Sequence, residues 1–211
     1  MRAGLSGGAC LLTFIVWVWP VPHLEGPPFT RHMVIHMTLV AIIAPLIAGA
    51  VSGTSFDPST RGWSWFRPLP LSALEAVVVW SFHAPALHHA ARSTLVVFVL
   101  EQLSFLLVAS CFWTAVLGGT SHERKQRALE SITALLGTAM HMTLLGALLA
   151  LSKRELYAQH VPGFVSPADR LFDQNLGGAV MIVMGGAIYL AGGIALTAEA
   201  LRPPRADLPN R

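Results

Sequence analysis

The amino-acid sequence predicts an all-α integral membrane bundle of about six transmembrane helices with both termini cytoplasmic. Three observations carry this. Apolar residues make up 54% of the 211-residue chain and charged residues only 12%, half of the roughly 25% that soluble domains carry. Mean hydropathy is +0.58. The apolar residues run in blocks of the length a bilayer demands, at about 4–21, 30–51, 71–90, 93–118, 127–151 and 174–198. No soluble insertion, internal repeat or low-complexity tract interrupts them, so residues 1–211 read as one transmembrane domain.

The first block has the outline of a secretory signal, with Arg2 ahead of LLTFIVWVW. WPVPHLEGPP follows, however, without a small-x-small cleavage site, so the block is expected to stay as a span. The second opens on RHMVIHM and continues as TLVAIIAPLIAGAV. In the loop SGTSFDPSTRGWSWFRPLP, Trp63, Trp65 and Phe66 suit the membrane interface. The spacing in SALE predicts a capping box of Ser72 and Glu75 for the third helix, and Thr120 with Glu123 predicts one near the fifth. In WSFHAPALHHAA, Pro85 is expected to kink or end the third helix between His83 and His88. SPADRLF predicts a short surface helix before the sixth span, with Ser166 as cap and Pro167 at its first position. The glycine pairs of LGGAVMIVMGGAIYLAGG read as close helix packing.

The net charge of +3 and pI near 9.3 raise the question of nucleic acid. The basic residues are scattered among loops with no basic stripe, so that partner is excluded. Counting Lys and Arg by side sets the orientation instead. Arg2, Arg61, Arg67, Arg124, Lys125, Arg127, Arg202, Arg205 and Arg211 fall on one side, and Arg31, Arg92, Lys153, Arg154 and Arg170 on the other. The richer side is expected to be cytoplasmic. Arg92 reads as a snorkelling interfacial charge. Cys10 and Cys111 form no CxxC pattern, which excludes a thiolate motif or a disulfide framework.

Under this topology eight of the nine histidines lie on the outer side, all but His122. A rise of about 1.5 Å per residue places His36, His83, Glu101, His141 and Met181 roughly 9–15 Å below the outer surface, on five different helices. His23, His32, His88, His89, His160 and Asp173 lie nearer the surface. His32 and His36 share a helix face at i, i+4, as do Met33 and Met37. Ionisable groups inside a membrane are costly and mark function.

Imidazole with thioether suits copper, and thioether favours Cu(I). The candidate ligands are therefore His32, His36, His83, His88, His141, Met33 and Met37, with Glu101 and Asp173 supporting them. His36, His83 and His141 form the deeper site, and the outer histidines are entry ligands. Such a cluster would take Cu(I) from a periplasmic donor and pass it to an acceptor within the lipid bilayer. Two alternatives stay open: a haem held between histidines on facing helices, and a metal-free accessory subunit whose histidines brace helices. A zinc hydrolase is disfavoured because no HExxH is present.

RHMVIHMTLVAIIAPLI, WSFHAPALHHAA, EQLSFLLVASCFWTAVLG, HMTLLGALLALSKRELY and DQNLGGAVMIVMGGAIYL together resemble the CtaG-type assembly factors of caa3-type cytochrome c oxidase. The resemblance covers about residues 28–195. It rests on His32 and His36, His83 and His88, Glu101, His141, and Asp173 with Gln174. Asn175 and Ile182 stand where it would lead one to expect Gln and Trp. It implies a non-catalytic role in the bacterial inner membrane, maturing a haem–copper oxidase, with a nascent oxidase subunit as partner.

Overall fold

The computed structural model describes residues 2–18, 27–157 and 166–202, and all regular structure within them is helical. α1 is Arg2–Trp17, α2 Pro28–Thr38, α3 Ala44–Val51, α4 Pro68–His83, α5 Pro85–Ser93, α6 Leu95–Leu117, α7 Ser121–Gln126, α8 Ala128–Ala150 and α9 Pro167–Leu201. Among the described residues four spans are long and apolar enough to cross a membrane: Pro28–Val51, Leu95–Leu117, Ala128–Ala150 and Pro167–Leu201. A fifth is the pair α4 and α5, taken together across a bend of 70°. α1 is a shorter apolar helix of 16 residues. His23, His160, Arg205 and Arg211 lie outside the described residues.

α2 and α3 form one span through a π-helical turn at Leu39–Ile43, in which the Ala44 N–H reaches back to the Leu39 carbonyl. The cause follows in sequence. Pro45 has no N–H to give the Ala41 carbonyl, and its ring crowds that carbonyl. A wider turn relieves the crowding, and the Val40 carbonyl accepts from Trp113 Nε1 on α6 at 3.0 Å.

The chain breaks between α4 and α5 where Pro85 predicts. Ala84 adopts extended geometry (φ −65°, ψ 133°), as a residue before proline prefers. Two other expectations are corrected. α4 begins at Pro68, a turn before the SALE stretch. Its first-turn proline and the extended Arg67 set the start, so Ser72 and Glu75 form no capping box. The Ser72 hydroxyl instead meets Thr138 Oγ1 at 2.8 Å and the Ala134 carbonyl at 3.2 Å, both on α8. SPADRLF is no separate helix; it is the first two turns of α9, which runs unbroken for 35 residues. Ser166 does cap it, accepting from the Asp169 N–H at 3.2 Å. The Thr120–Glu123 capping box forms, on the short α7. Trp63 and Trp65 stack at the surface, whereas Phe66 is buried.

α8 and α9 pack backbone to backbone. A Cβ on Gly178 would lie 2.5 Å from the Ala150 nitrogen and 2.6 Å from the Gly146 carbonyl oxygen. Gly177 likewise admits the Phe29 ring, which a Cβ would meet at 2.6 Å. Close approach of this kind is how helices associate where no hydrophobic effect drives them together. Leu95, Val96, Leu103 and Leu107 on α6, with Leu136, Leu144 and Leu148 on α8, point outward as a lipid-facing surface requires.

Candidate metal centre

His32 and His36 lie one turn apart on α2, with ring centroids 6.3 Å apart and nearly parallel planes. His83 ends α4 and His88 sits on α5. On a straight helix two residues five apart would diverge by about 140°. The break at Ala84 turns both toward α2: His83 lies 6.0 Å from His32 and 5.3 Å from His36, and His88 lies 5.2 Å from His32. Glu101 on α6 closes the group. One donor atom each from His32, His88 and Glu101 lie within 4.8 Å of one another, all three residues buried. Both ring nitrogens of His141 on α8 are buried.

The hydrogen bonds fix which nitrogens are free. His83 Nδ1 lies 2.7 Å from the Val79 carbonyl. A carbonyl only accepts, so Nδ1 carries the proton and Nε2 keeps its lone pair. Seven buried imidazole nitrogens have no hydrogen-bond partner among the described residues: His32 Nε2, both nitrogens of His36, His83 Nε2, His88 Nδ1 and both of His141. Glu101 Oε1 is equally unpartnered. Buried polar atoms are nearly always paired. Leaving several unpaired in one place is costly unless something else satisfies them. His83 and His36 each keep a free lone pair, and neutral imidazoles beside a carboxylate are the donors a transition metal takes, so these residues fit a metal ion.

The surroundings hold the donors in place. Phe105 packs 4.3 Å from His36. Tyr157 donates its hydroxyl to the His83 carbonyl at 2.7 Å, and burial pushes its phenol up, which keeps that donor protonated. Phe29 stacks on Tyr157 at 4.8 Å, and His88 lies 4.4 Å from the same ring. Gln102 donates to Glu101 Oε2 at 3.1 Å and accepts from Trp17 Nε1 at 3.3 Å, which ties α1 to the site.

Not every candidate joins the cluster. Met33 packs on Gly177 and the Met37 methyl on Gly185, so both fully buried side chains turn toward α9. Asp173 has no hydrogen bond to a histidine among the described residues; it accepts from the Phe29 and Thr30 N–H groups at 2.8 Å and caps α2 from across the bundle. Arg92 is not a snorkelling charge. Its guanidinium pairs with Glu101 and reaches His32 Nδ1 at 3.1 Å. Arg92, Gln102, Tyr157 and Phe29 are site residues that spacing does not reveal. The adjacent acid and amide of Glu101–Gln102 in an apolar run were the nearest available signal.

Residues 2–203 match the family model described as cytochrome c oxidase caa3 assembly factor, Caa3_CtaG. The chain belongs to that family. The match extends the resemblance read from residues 28–195 to α1 and the end of α9, so the whole described bundle is family architecture. An assembly factor of this family is a multi-pass membrane protein with a non-catalytic role. Neither the curated proteins nor the solved structures include a match to the chain.

Proposed function

We propose that this assembly factor handles copper for a haem–copper cytochrome c oxidase through the His32, His36, His83, His88, His141 and Glu101 cluster. The observation that carries the reading is the set of buried, unpartnered imidazole nitrogens on α2, α4, α5 and α8, with His32 and His88 drawn together beside Glu101 of α6. In this reading six spans cross the bacterial inner membrane, α1 included. Both termini are cytoplasmic, and the cluster faces the periplasm. A periplasmic donor supplies Cu(I), and a nascent oxidase subunit in the bilayer receives it. The ion is cargo. His83 Nε2 and one nitrogen of His36 form the deeper ligands, since no group among the described residues competes for them. His32, His88 and Glu101 form the outer ones. Met33 and Met37 contribute packing against α9 rather than sulfur ligands.

Haem fits less well. Phe105 at 4.3 Å from His36 and 5.6 Å from Phe82 fills the space beside the histidines that a porphyrin would need. The test is elemental analysis and an optical spectrum of one detergent-purified sample after Cu(I) loading. About one copper per chain is expected, lost in His36→Ala and His83→Ala and kept in a variant of the exposed His89. Iron with a Soret band would make the histidines haem ligands. No metal after loading would reduce the cluster to a structural or client-docking element.

A further inference from the structure

The Arg92 guanidinium touches two of the three outer ligands, His32 Nδ1 and the Glu101 carboxylate. Arginine only donates hydrogen bonds, so His32 Nδ1 must accept. Its single lone pair is then engaged, and the proton of the neutral ring sits on Nε2, 4.0 Å from Glu101 Oε1. His32 in this arrangement has no lone pair for a metal. His83 shows the opposite tautomer, its lone pair free. Within one cluster, the inner histidine is ready to ligate and the outer one is held closed by a cation.

We propose that Arg92 is a built-in counter-cation that occupies the outer half of the site until a metal cation displaces it, and that the single Glu101 charge it leaves behind favours Cu(I) over divalent ions. The proposal rests on the copper reading above. Arg92 and Glu101 together carry no net charge. Exchanging the guanidinium for Cu(I) keeps the buried pair neutral. Exchanging it for Zn²⁺ or Cu²⁺ leaves one uncompensated positive charge in a site lined by apolar rings, which is strongly disfavoured. The displaced side chain has a place to go. Arg92 already lies with its Cζ 5.2 Å from the Phe98 ring centroid. A cleft of about 330 Å³ opens beside it between Ala91 and Phe98. One quarter of the Arg92 side chain is already exposed, whereas Glu101 is fully buried.

A latch of this kind lowers apparent affinity by the fraction of molecules that are open. An open state populated at about 1–10% weakens binding about 10- to 100-fold. The test uses the detergent-purified full chain. Phenylglyoxal labelling, mapped by mass spectrometry, is expected to rise at Arg92 on Cu(I) loading and not on Zn²⁺ addition, with Arg170, paired to Glu155, as internal control. In parallel, Arg92→Gln is expected to bind Cu(I) at least about tenfold more tightly in competition with a chromophoric chelator, with the preference for Cu(I) over Zn²⁺ kept because Glu101 remains. Copper binding by the unaltered protein with Arg92 labelling unchanged would overturn the latch and leave the copper reading standing. So would an Arg92→Gln variant that binds Cu(I) no more tightly. Absence of Cu(I) binding in both proteins would overturn the two together.

Discussion

The Asp173 carboxylate accepts both the backbone N–H of Thr30, at 2.8 Å, and its hydroxyl, at 2.6 Å. A residue in the second turn of α9 thereby supplies the N-terminal cap that α2 lacks in its own sequence, since Pro27 at that position has no side-chain acceptor. The carboxylate also complements the positive end of the α2 dipole. The helix carrying His32 and His36 is thus anchored at its mouth by a different span.

Asp173→Ala is expected to destabilise the bundle by about 1–2 kcal/mol, the range for losing a side-chain cap. The Phe29 N–H, which is buried, would be left unpaired. Asp173→Asn should recover part of the loss. Thermal unfolding in detergent measures both. Equal stability of all three proteins would refute the capping role.

Gly178→Leu is expected to separate α8 from α9. Even a single added carbon would sit 2.5–2.9 Å from Ala150, Gly146 and Leu149, and overpacking of this kind costs about 1–3 kcal/mol. Gly186→Ala is the control, because nothing lies within 4 Å of its added Cβ. A lower unfolding temperature for the first variant with no change in the second is the expected pattern.

Glu75 lies fully buried on α4, and Oε1 accepts from the Tyr189 hydroxyl at 3.1 Å while Oε2 has no partner among the described residues. Tyr189→Phe would leave both oxygens unpaired, at about 1–3 kcal/mol. The double variant Tyr189→Phe/Glu75→Leu should cost less than the sum of the single changes. Strict additivity in this double-mutant cycle would show that the two groups do not interact.

Asp57 lies in the loop between α3 and α4, where burial alone would raise its pKa. The N–H groups of Gly119, Gly53 and Ser59 and the Ser59 hydroxyl outweigh that and hold the carboxyl below its ordinary value. A folded-state pKa below the unfolded one stabilises the protein fully above about pH 3.9. That stabilisation is lost as pH falls through the lower folded value. Asp57→Ala is expected to cost about 0.5–2 kcal/mol at neutral pH and to flatten this acid limb. A pH–stability curve unchanged by the substitution would count against it.

Composition and hydropathy were enough to read the membrane class, and the positions of α6, α8 and the Pro28–Val51 span follow from apolar length alone. The Pro85 break, the Thr120 capping box and the glycine packing of α9 were equally legible, because each depends on chemistry within a few residues. The capping-box reading of Ser72 and Glu75 failed for the opposite reason. The motif is local, but both side chains are claimed by partners on α8 and α9, distant in sequence.

The histidines divide along the same line. Counting residues along helices is enough to expect His36, His83 and His141 at one depth, with His32 and His88 nearer the surface. Which of their nitrogens are free, that Met33 and Met37 face α9 instead, and that Arg92 and Glu101 close the outer half were decided only by the tertiary structure. Helical periodicity sets a residue's depth and its angle about its own axis. The rotation of each helix against its neighbours, and the 70° turn that brings His88 back over His32, arise from packing between segments far apart in the chain.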